Sequence, residues 1–287
     1  MNSSCLVVLH FNKTNQTIKC IQSIIDSGYR KNQILAFDNG SSIENFNLIK
    51  NSFPDIRHKR IETNKGFSGG FNAAIRWAIE EGFSNFLFCS NDTIIFQNAL
   101  ASCLDASEKH NATLVAPKIV YSSRPEEIDS IGGNFNYSSF SLNHYKKNDL
   151  PVELNPETDY VPGTCFWLEK GIFLSLGGMD ESFHTYWEDA DFSFRAHKNG
   201  FKSIRCYESE VSHGVGKTCH KKPLYSTYYF QRNRIRFCRK YCSSDQLNKA
   251  RQIIKNDLSG LELKSKKAND IVRLNYLKEL CLELDIL

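Results

Sequence analysis

The chain has 287 residues, 41% of them hydrophobic, which is enough to bury a sizeable α/β core and too many for a disordered chain. Its 36 basic and 32 acidic side chains leave a net charge of +4, too even to make nucleic acid the expected partner. Ten cysteines without a CxxC pair, several inside apolar runs, describe a reduced, cytoplasmic protein; no signal peptide is read at the N-terminus, and no apolar window could span a bilayer.

In chain order, Cys5–Leu9 is a short apolar run, as expected of a strand buried on both faces. A helix is predicted from Gln16 to Ser27, with Ile18, Ile21, Ile24 and Ile25 on one face and Gly28 to end it. Ile34–Phe37 predicts a second strand, Ile43–Ser52 a helix, Ile56–Glu62 a third strand, Gly69–Glu81 a helix, and Phe86–Cys89 a fourth strand. Repeated strand–helix units imply a mostly parallel sheet flanked by helices. Ligands bind such sheets beyond the carboxyl ends of the strands. Asn12, Asp38, Asn64 and Asp92 follow the successive strands at those ends.

Beyond Pro117 the pattern changes. Ile131 to Tyr145 reads as a hairpin or irregular insertion, and Tyr160 to Leu168 as a strand. Gly177-Gly178 closes a short helix; Glu188 to Asn199 forms another, stopped by Gly200. Phe201 to Tyr207 is a strand, and the tail from Tyr225 is helical.

Several clusters carry chemistry. Asp38-Asn39-Gly40-Ser41 reads either as a strand-ending turn or as a carboxylate that accepts a base N–H. Asn64-Lys65-Gly66-Phe67-Ser68-Gly69-Gly70-Phe71-Asn72 enters a helix; its glycines fit a tight turn or the close approach of a phosphate-bearing ligand. Ser90-Asn91-Asp92 follows a strand, where one carboxylate can help hold Mg²⁺ or Mn²⁺ together with substrate phosphates. Glu188, Asp189 and Asp191 open a helix. Acids there stabilise the helix dipole, but the aromatics Phe183, Tyr186 and Trp187 beside them suggest a sugar-facing platform.

Taken in order, these clusters resemble glycosyltransferase family 2, in particular its rhamnosyltransferase-like branch. The resemblance covers about Cys5 to Tyr241 and adds Gly163-Thr164, Gly177-Gly178-Met179-Asp180-Glu181, His213 and Arg232-Asn233-Arg234. It implies a GT-A fold, with residues 1–223 as the catalytic domain (1–117 the nucleotide-sugar half, 118–223 the acceptor half) and 224–287 as a C-terminal helical extension. It also implies an inverting, metal-assisted transfer from a dTDP- or UDP-sugar, dTDP-rhamnose first, to a glycan or lipid-linked acceptor of surface polysaccharide. A non-catalytic nucleotide-sugar-binding protein on the same fold is the alternative.

Carried onto this chain, the resemblance makes Asp189 the base. Asn12, Asp38, Asn64, Gly66, Gly69, Asn72, Asn91 and Asp92 would bind the nucleotide-sugar, and Trp187, Glu188, Arg232 and Arg234 the acceptor side. Asp92 and His213 would hold Mn²⁺ or Mg²⁺, although a lone histidine also reads as a satisfied structural residue. The sequence departs from the family's Asp-x-Asp at Ser90, which supplies no carboxylate. The basic, aromatic stretch from Lys217 to Lys240 reads either as an amphipathic helix packed by its aromatics or as a phosphate-holding face, with Lys221 and Lys222 resting on the membrane's inner, anionic surface.

Overall fold

The computed structural model describes residues 3–146, 156–214 and 223–286. Lys217, Lys221 and Lys222, and with them the membrane-contact expectation, lie outside the described residues.

The N-terminal part follows the expected order: β1 (Ser4–His10), α1 (Thr14–Asp26), β2 (Ile34–Asn39), α2 (Ile43–Ser52), β3 (Arg57–Ile61), α3 (Gly66–Glu80) and β4 (Asn85–Ser90). Four elements follow that the sequence pattern did not resolve: β5 (Thr93–Ile95), α4 (Ala99–His110), β6 (Leu114–Tyr121) and β7 (Arg124–Ser130). The hairpin expected next is β8 (Gly133–Asn136) and β9 (Ser141–His144). Then come β10 (Cys165–Glu169), α5 (Lys170–Leu176), α6 (Glu188–Lys198), β11 (Ser203–His213), and the tail helices α7 (Pro223–Tyr241), α8 (Ser244–Lys267) and α9 (Ile271–Ile286).

The central sheet runs β3-β2-β1-β4-β10-β6-β11-β5, with β7 added on β6. Strands β1 to β4 are mutually parallel, as is the β6–β11 pair; β10, β5 and β7 run antiparallel to their neighbours. Alternate residues of β1 face opposite layers. Leu6 and Val8 join Ile21, Ile24 and Leu100 beneath α1 and α4. Cys5, Val7 and Leu9 join Phe71, Phe88, Phe166 and Phe192 beneath α3 and α6. A third cluster packs Phe135, Phe183, Trp187 and Phe237, and a fourth binds α7, α8 and α9 through Ile235, Ile254, Leu258 and Leu277.

Two strand boundaries differ from expectation. The strand expected from Tyr160 starts only at Cys165, because Pro162 has no N–H and the Gly163 N–H is given to the Asp189 side chain. The strand expected to stop at Tyr207 continues to His213, past an irregularity between Cys206 and Glu210. Among the described residues, no helix is long and apolar enough to cross a membrane.

Candidate active site

At the end of β1 and β2, Asp38 is 2% exposed. Its Oδ1 accepts from the backbone N–H of Gly40 (2.9 Å) and Ser41 (2.8 Å), the turn its neighbours dictate. Its Oδ2 has no hydrogen-bond partner and faces His10 Nε2, also unpartnered, at 3.5 Å. Burial lowers the proton affinity of His10, and the Asp38 charge opposes that. Sequence reading missed His10, although it directly follows the first apolar run. Asn12 has a left-handed backbone and ties the loop after β1 to α2: its N–H donates to Ser41 Oγ (2.9 Å), and its Oδ1 accepts from Ser42 N and Asn45 Nδ2.

The glycine-rich entry to α3 packs closely against other parts of the chain. A Cβ on Gly66 would lie 2.5 Å from the His184 carbonyl oxygen, and one on Gly69 would lie 2.6 Å from Lys65 Cβ and 3.4 Å from Glu181 Oε2. The room those glycines leave is therefore taken by the chain itself, chiefly residues 181–184. Asn72 is buried and committed: it donates to Met179 O (2.9 Å) and Glu181 Oε1 (3.0 Å) and accepts from Met179 N (2.8 Å). Asn64 Oδ1 accepts from Gly66 N (2.8 Å) and Asn39 Nδ2 (3.2 Å). Asn91 donates to Thr17 Oγ1 (2.9 Å), fastening β4 to α1. Gly66, Gly69, Asn72 and Asn91 are thus engaged by contacts within the fold.

Past the end of β4, Asp92 Oδ1 accepts from Ser90 Oγ at 2.7 Å, so the residue that replaces the family's first acid orients the second. His213, the last residue of β11, brings Nε2 to 3.6 Å from Asp92 Oδ1 and Nδ1 to 3.4 Å from Asp129 Oδ2. Burial disfavours the charged imidazole, but hydrogen bonds to Asp129 and Asp92 outweigh it and raise its pKa to about 9. Nothing in the sequence pattern marked Asp129. Among the described residues, no group of three or more His, Cys, Asp or Glu is placed to hold a metal unaided. One carboxylate and one imidazole side by side fit a divalent cation whose remaining positions are filled by substrate phosphate and water.

The start of α6 is reached through left-handed residues at His184, Tyr186 and Trp187. Asn233 on α7, fully buried, holds this turn by donating to the carbonyls of Phe183, Thr185 and Tyr186 at 2.7–2.8 Å. The three acids then separate. Asp189 is half-buried; its Oδ2 accepts from Gly163 N and its Oδ1 from Ala190 N, each at 2.8 Å. Burial raises its pKa above the usual aspartate range, against the pull of those N–H donors. Glu188 is buried with Oε2 unpartnered, and burial followed by the Asp189 charge pushes its pKa well up. Asp191 is fully buried; it pairs with Arg195 (2.8 Å) and Lys240 and accepts from Tyr241 OH (2.7 Å).

Three residues expected on the acceptor side are engaged within the fold. Trp187 is only 2% exposed, packed among Phe135, Phe230 and Phe237, so it forms a core wall and not an open sugar platform. Arg234 is 4% exposed; it donates to the carbonyls of Phe140 and Ser139 (each 2.6 Å) and pairs with Asp257 (2.8 Å), which leaves its fork no face for phosphate. Arg232 donates to Ser182 O (2.8 Å) and Asn233 Oδ1 and lies over the Tyr229 ring. It braces the turn before α6.

One joint connects the Asp92 and Asp189 regions. The backbone N–H of Ser90 donates to Thr164 O at 2.9 Å, and the adjacent Gly163 N–H donates to Asp189. The Asp92 side and the Asp189 side are therefore held by consecutive residues.

The family description "Glycosyl transferase family 2" matches residues 5–177. The chain belongs to that family. Among curated relatives, the low-salt glycan biosynthesis hexosyltransferase Agl10 of Haloferax volcanii is 26% identical over 243 residues, covering 80% of this chain and 73% of the relative. Among solved structures, the mannosyltransferase PcManGT of Pyrobaculum calidifontis, in complex with GDP-Man and Mn²⁺, superposes with a TM-score of 0.61 at 11% identity, over 98% of this chain and 86% of the other. GalNAc-T7 with UDP, GalNAc and Mn²⁺ gives a TM-score of 0.61 at 15% identity, over 83% of this chain. This family-2 chain spans 48% of the GalNAc-T7 chain. Both likenesses show the fold, which is GT-A.

Proposed function

We propose that this family-2 protein is an inverting glycosyltransferase that moves a hexosyl residue from a nucleoside-diphosphate donor to a hydroxyl of a glycan or lipid-linked glycan. The observation that carries the reading is the Gly163-Thr164 joint, bonded to Ser90 on one side and to Asp189 on the other. A single displacement needs its leaving-group end and its proton-accepting end held in fixed relation, and this joint supplies that relation.

Asp189 accepts the acceptor hydroxyl's proton as the new glycosidic bond forms and the diphosphate departs. Burial raises its affinity for that proton, while the Gly163 and Ala190 N–H groups fix the carboxylate plane. The transition state has oxocarbenium character. Mn²⁺ or Mg²⁺ at Asp92 and His213 would neutralise the leaving diphosphate as a Lewis acid. Ser90 keeps Asp92 oriented, and the mixed oxygen and imidazole set favours Mn²⁺ of the two. At the far end, Asp38 Oδ2, buried and unpartnered, is an acceptor for the N3–H of uracil or thymine.

The hexosyl reading draws support from the name of the Haloferax relative, and the nucleotide-sugar and Mn²⁺ reading from the ligands named for the two solved structures. Thermal shift with Mn²⁺ across dTDP-rhamnose, UDP-galactose, UDP-N-acetylglucosamine and GDP-mannose tests it, since a ligand of the native state raises the melting temperature. We expect one pyrimidine donor to act, only with metal, and NMR of the transfer product to show the inverted anomer. A retained anomer would exclude single displacement. Donor binding without transfer or hydrolysis would favour the non-catalytic alternative.

A further inference from the structure

We infer that Asp129 is a positioning residue for the metal site: its carboxylate takes the Nδ1–H of His213 and so leaves Nε2, the nitrogen beside Asp92, free to ligate the cation. The inference rests on the reading of His213 as a ligand.

The geometry begins with a bulge. In the antiparallel β6–β7 pair, Ile119 lies opposite Ser130 but the next residue, Val120, lies opposite Ile128. Asp129 is the extra residue between those two pairs. A bulge re-aims the side chain it carries, and Asp129 Oδ2 arrives 3.4 Å from His213 Nδ1. The neighbouring strands complete a row. Tyr121 on β6 stands opposite His213 on β11 and hydrogen-bonds to Asp129. His213 in turn stands opposite Thr93 of β5, the residue after Asp92. Along β7-β6-β11-β5 the chain thus sets a carboxylate, a phenol, an imidazole and a second carboxylate side by side.

A plain ion pair would need neither the bulge nor the phenol, because either carboxylate alone could meet the imidazole. Two carboxylates on opposite nitrogens of one ring do different work. Asp92 Oδ1 lies 3.6 Å from Nε2 and is itself oriented by Ser90, while Asp129 addresses only Nδ1. A metal-ligating imidazole is fixed in its ring orientation and tautomer by an acceptor on its other nitrogen, and loss of that acceptor weakens metal binding by about 10–100-fold.

The test uses the full chain and Mn²⁺ as the probe, with free Mn²⁺ read by electron paramagnetic resonance in the presence of UDP. Asp129→Ala is expected to weaken Mn²⁺ binding by about 10–100-fold. Asp129→Asn, which keeps an acceptor oxygen, should lose less, and His213→Ala at least as much as Asp129→Ala. UDP affinity in EDTA should be equal in all four proteins. A second readout is independent of affinity. With Mg²⁺ and UDP, ¹⁵N NMR of the His213 ring should show protonated Nδ1 in wild type and in Asp129→Asn, and a mixture of tautomers in Asp129→Ala. If Asp129→Ala melts below the assay temperature, the Asn variant's affinity and tautomer decide, and a wild-type affinity with a mixed tautomer overturns the inference. Wild-type Mn²⁺ affinity in Asp129→Ala, with loss in His213→Ala, removes Asp129 and keeps the ligand. Wild-type affinity in His213→Ala, or no Mn²⁺ binding by the wild type, removes the ligand reading and this inference with it.

Discussion

Glu188, Asp189 and Asp191 share one helical turn but have separate fates. Asp191 is spent on Arg195, Lys240 and Tyr241. Asp189 alone keeps some exposure and a raised proton affinity together. Replacing Asp189 with Asn keeps size and removes the proposed base, so turnover should fall by about 100-fold or more. Donor affinity by calorimetry should hardly change, and near-normal turnover would move the base to Glu188. In wild type, the acid limb of kcat should lie above the ordinary aspartate value of about 3.9, because burial raises the Asp189 pKa.

Glu188 makes a stability prediction. Its folded pKa is raised above the unfolded value, so the folded state binds the proton more tightly. Its contribution is full below the unfolded carboxylate pKa and is lost as pH rises through the folded one. Glu188→Gln, permanently neutral, should match wild type in melting temperature at acid pH and exceed it increasingly towards alkaline pH. Parallel melting curves at all pH values would show that Glu188 does not titrate with folding. The motif in the sequence located these acids. It could not sort them, because Lys240 and Tyr241, which engage the Asp191 carboxylate, lie 49 and 50 residues downstream.

At the scale of elements, α7 braces the turn before α6; the sequence left open a packed amphipathic helix or a phosphate-holding face. Its basic side chains turn towards carbonyls and acids of other segments: Arg232 and Arg236 to Ser182 O, Arg234 to the β8–β9 turn, Lys240 to Asp180 and Asp191. Arg234→Ala strands two carbonyls and the Asp257 partner. It should cost upwards of about 2 kcal/mol, which calorimetric melting would detect. An Arg234→Ala protein of wild-type stability with impaired transfer would restore the phosphate role. Gly66 carries a related expectation. At φ +72° with the His184 carbonyl 2.5 Å from any added Cβ, Gly66→Ala should destabilise by about 1–3 kcal/mol, read in urea unfolding.

Long, periodic elements were legible in the sequence: α1, α2, β2 and β4 fall where the apolar spacing puts them. β5 spans only Thr93–Ile95, too short for a pattern, and the polar second half of β11 has no apolar alternation to betray it. Asp129 was illegible for another reason. Its aim depends on one extra residue against β6, and pairing register is not written in either strand alone.

For the whole molecule, the C-terminal helices are continuous with the core cluster around Trp187 and Phe237. Ala250 of α8 packs in the cluster of Trp187 and Phe237, and Ile254 and Leu258 meet Ile235 of α7. A chain ended at Cys242 would bare that surface. We expect it to lose soluble yield and to melt well below the full chain, whereas an equally stable truncated protein would make α8 and α9 dispensable.

The place of β10 has a consequence for how the protein is made. On the ribosome, β1 to β4 emerge first and can pair among themselves, but β4 then ends that sheet with Phe86, Leu87, Phe88 and Cys89 along an open border. β5 and β6, which emerge next, do not pair with β4; the strand that joins β4 to β6 is β10, starting at Cys165. Until that strand is delivered, the nascent chain carries an unpaired apolar edge, the kind of surface that recruits chaperones or other nascent chains. The same late strand is preceded by Gly163-Thr164, so protection from aggregation and assembly of the joint between Ser90 and Asp189 occur in one step.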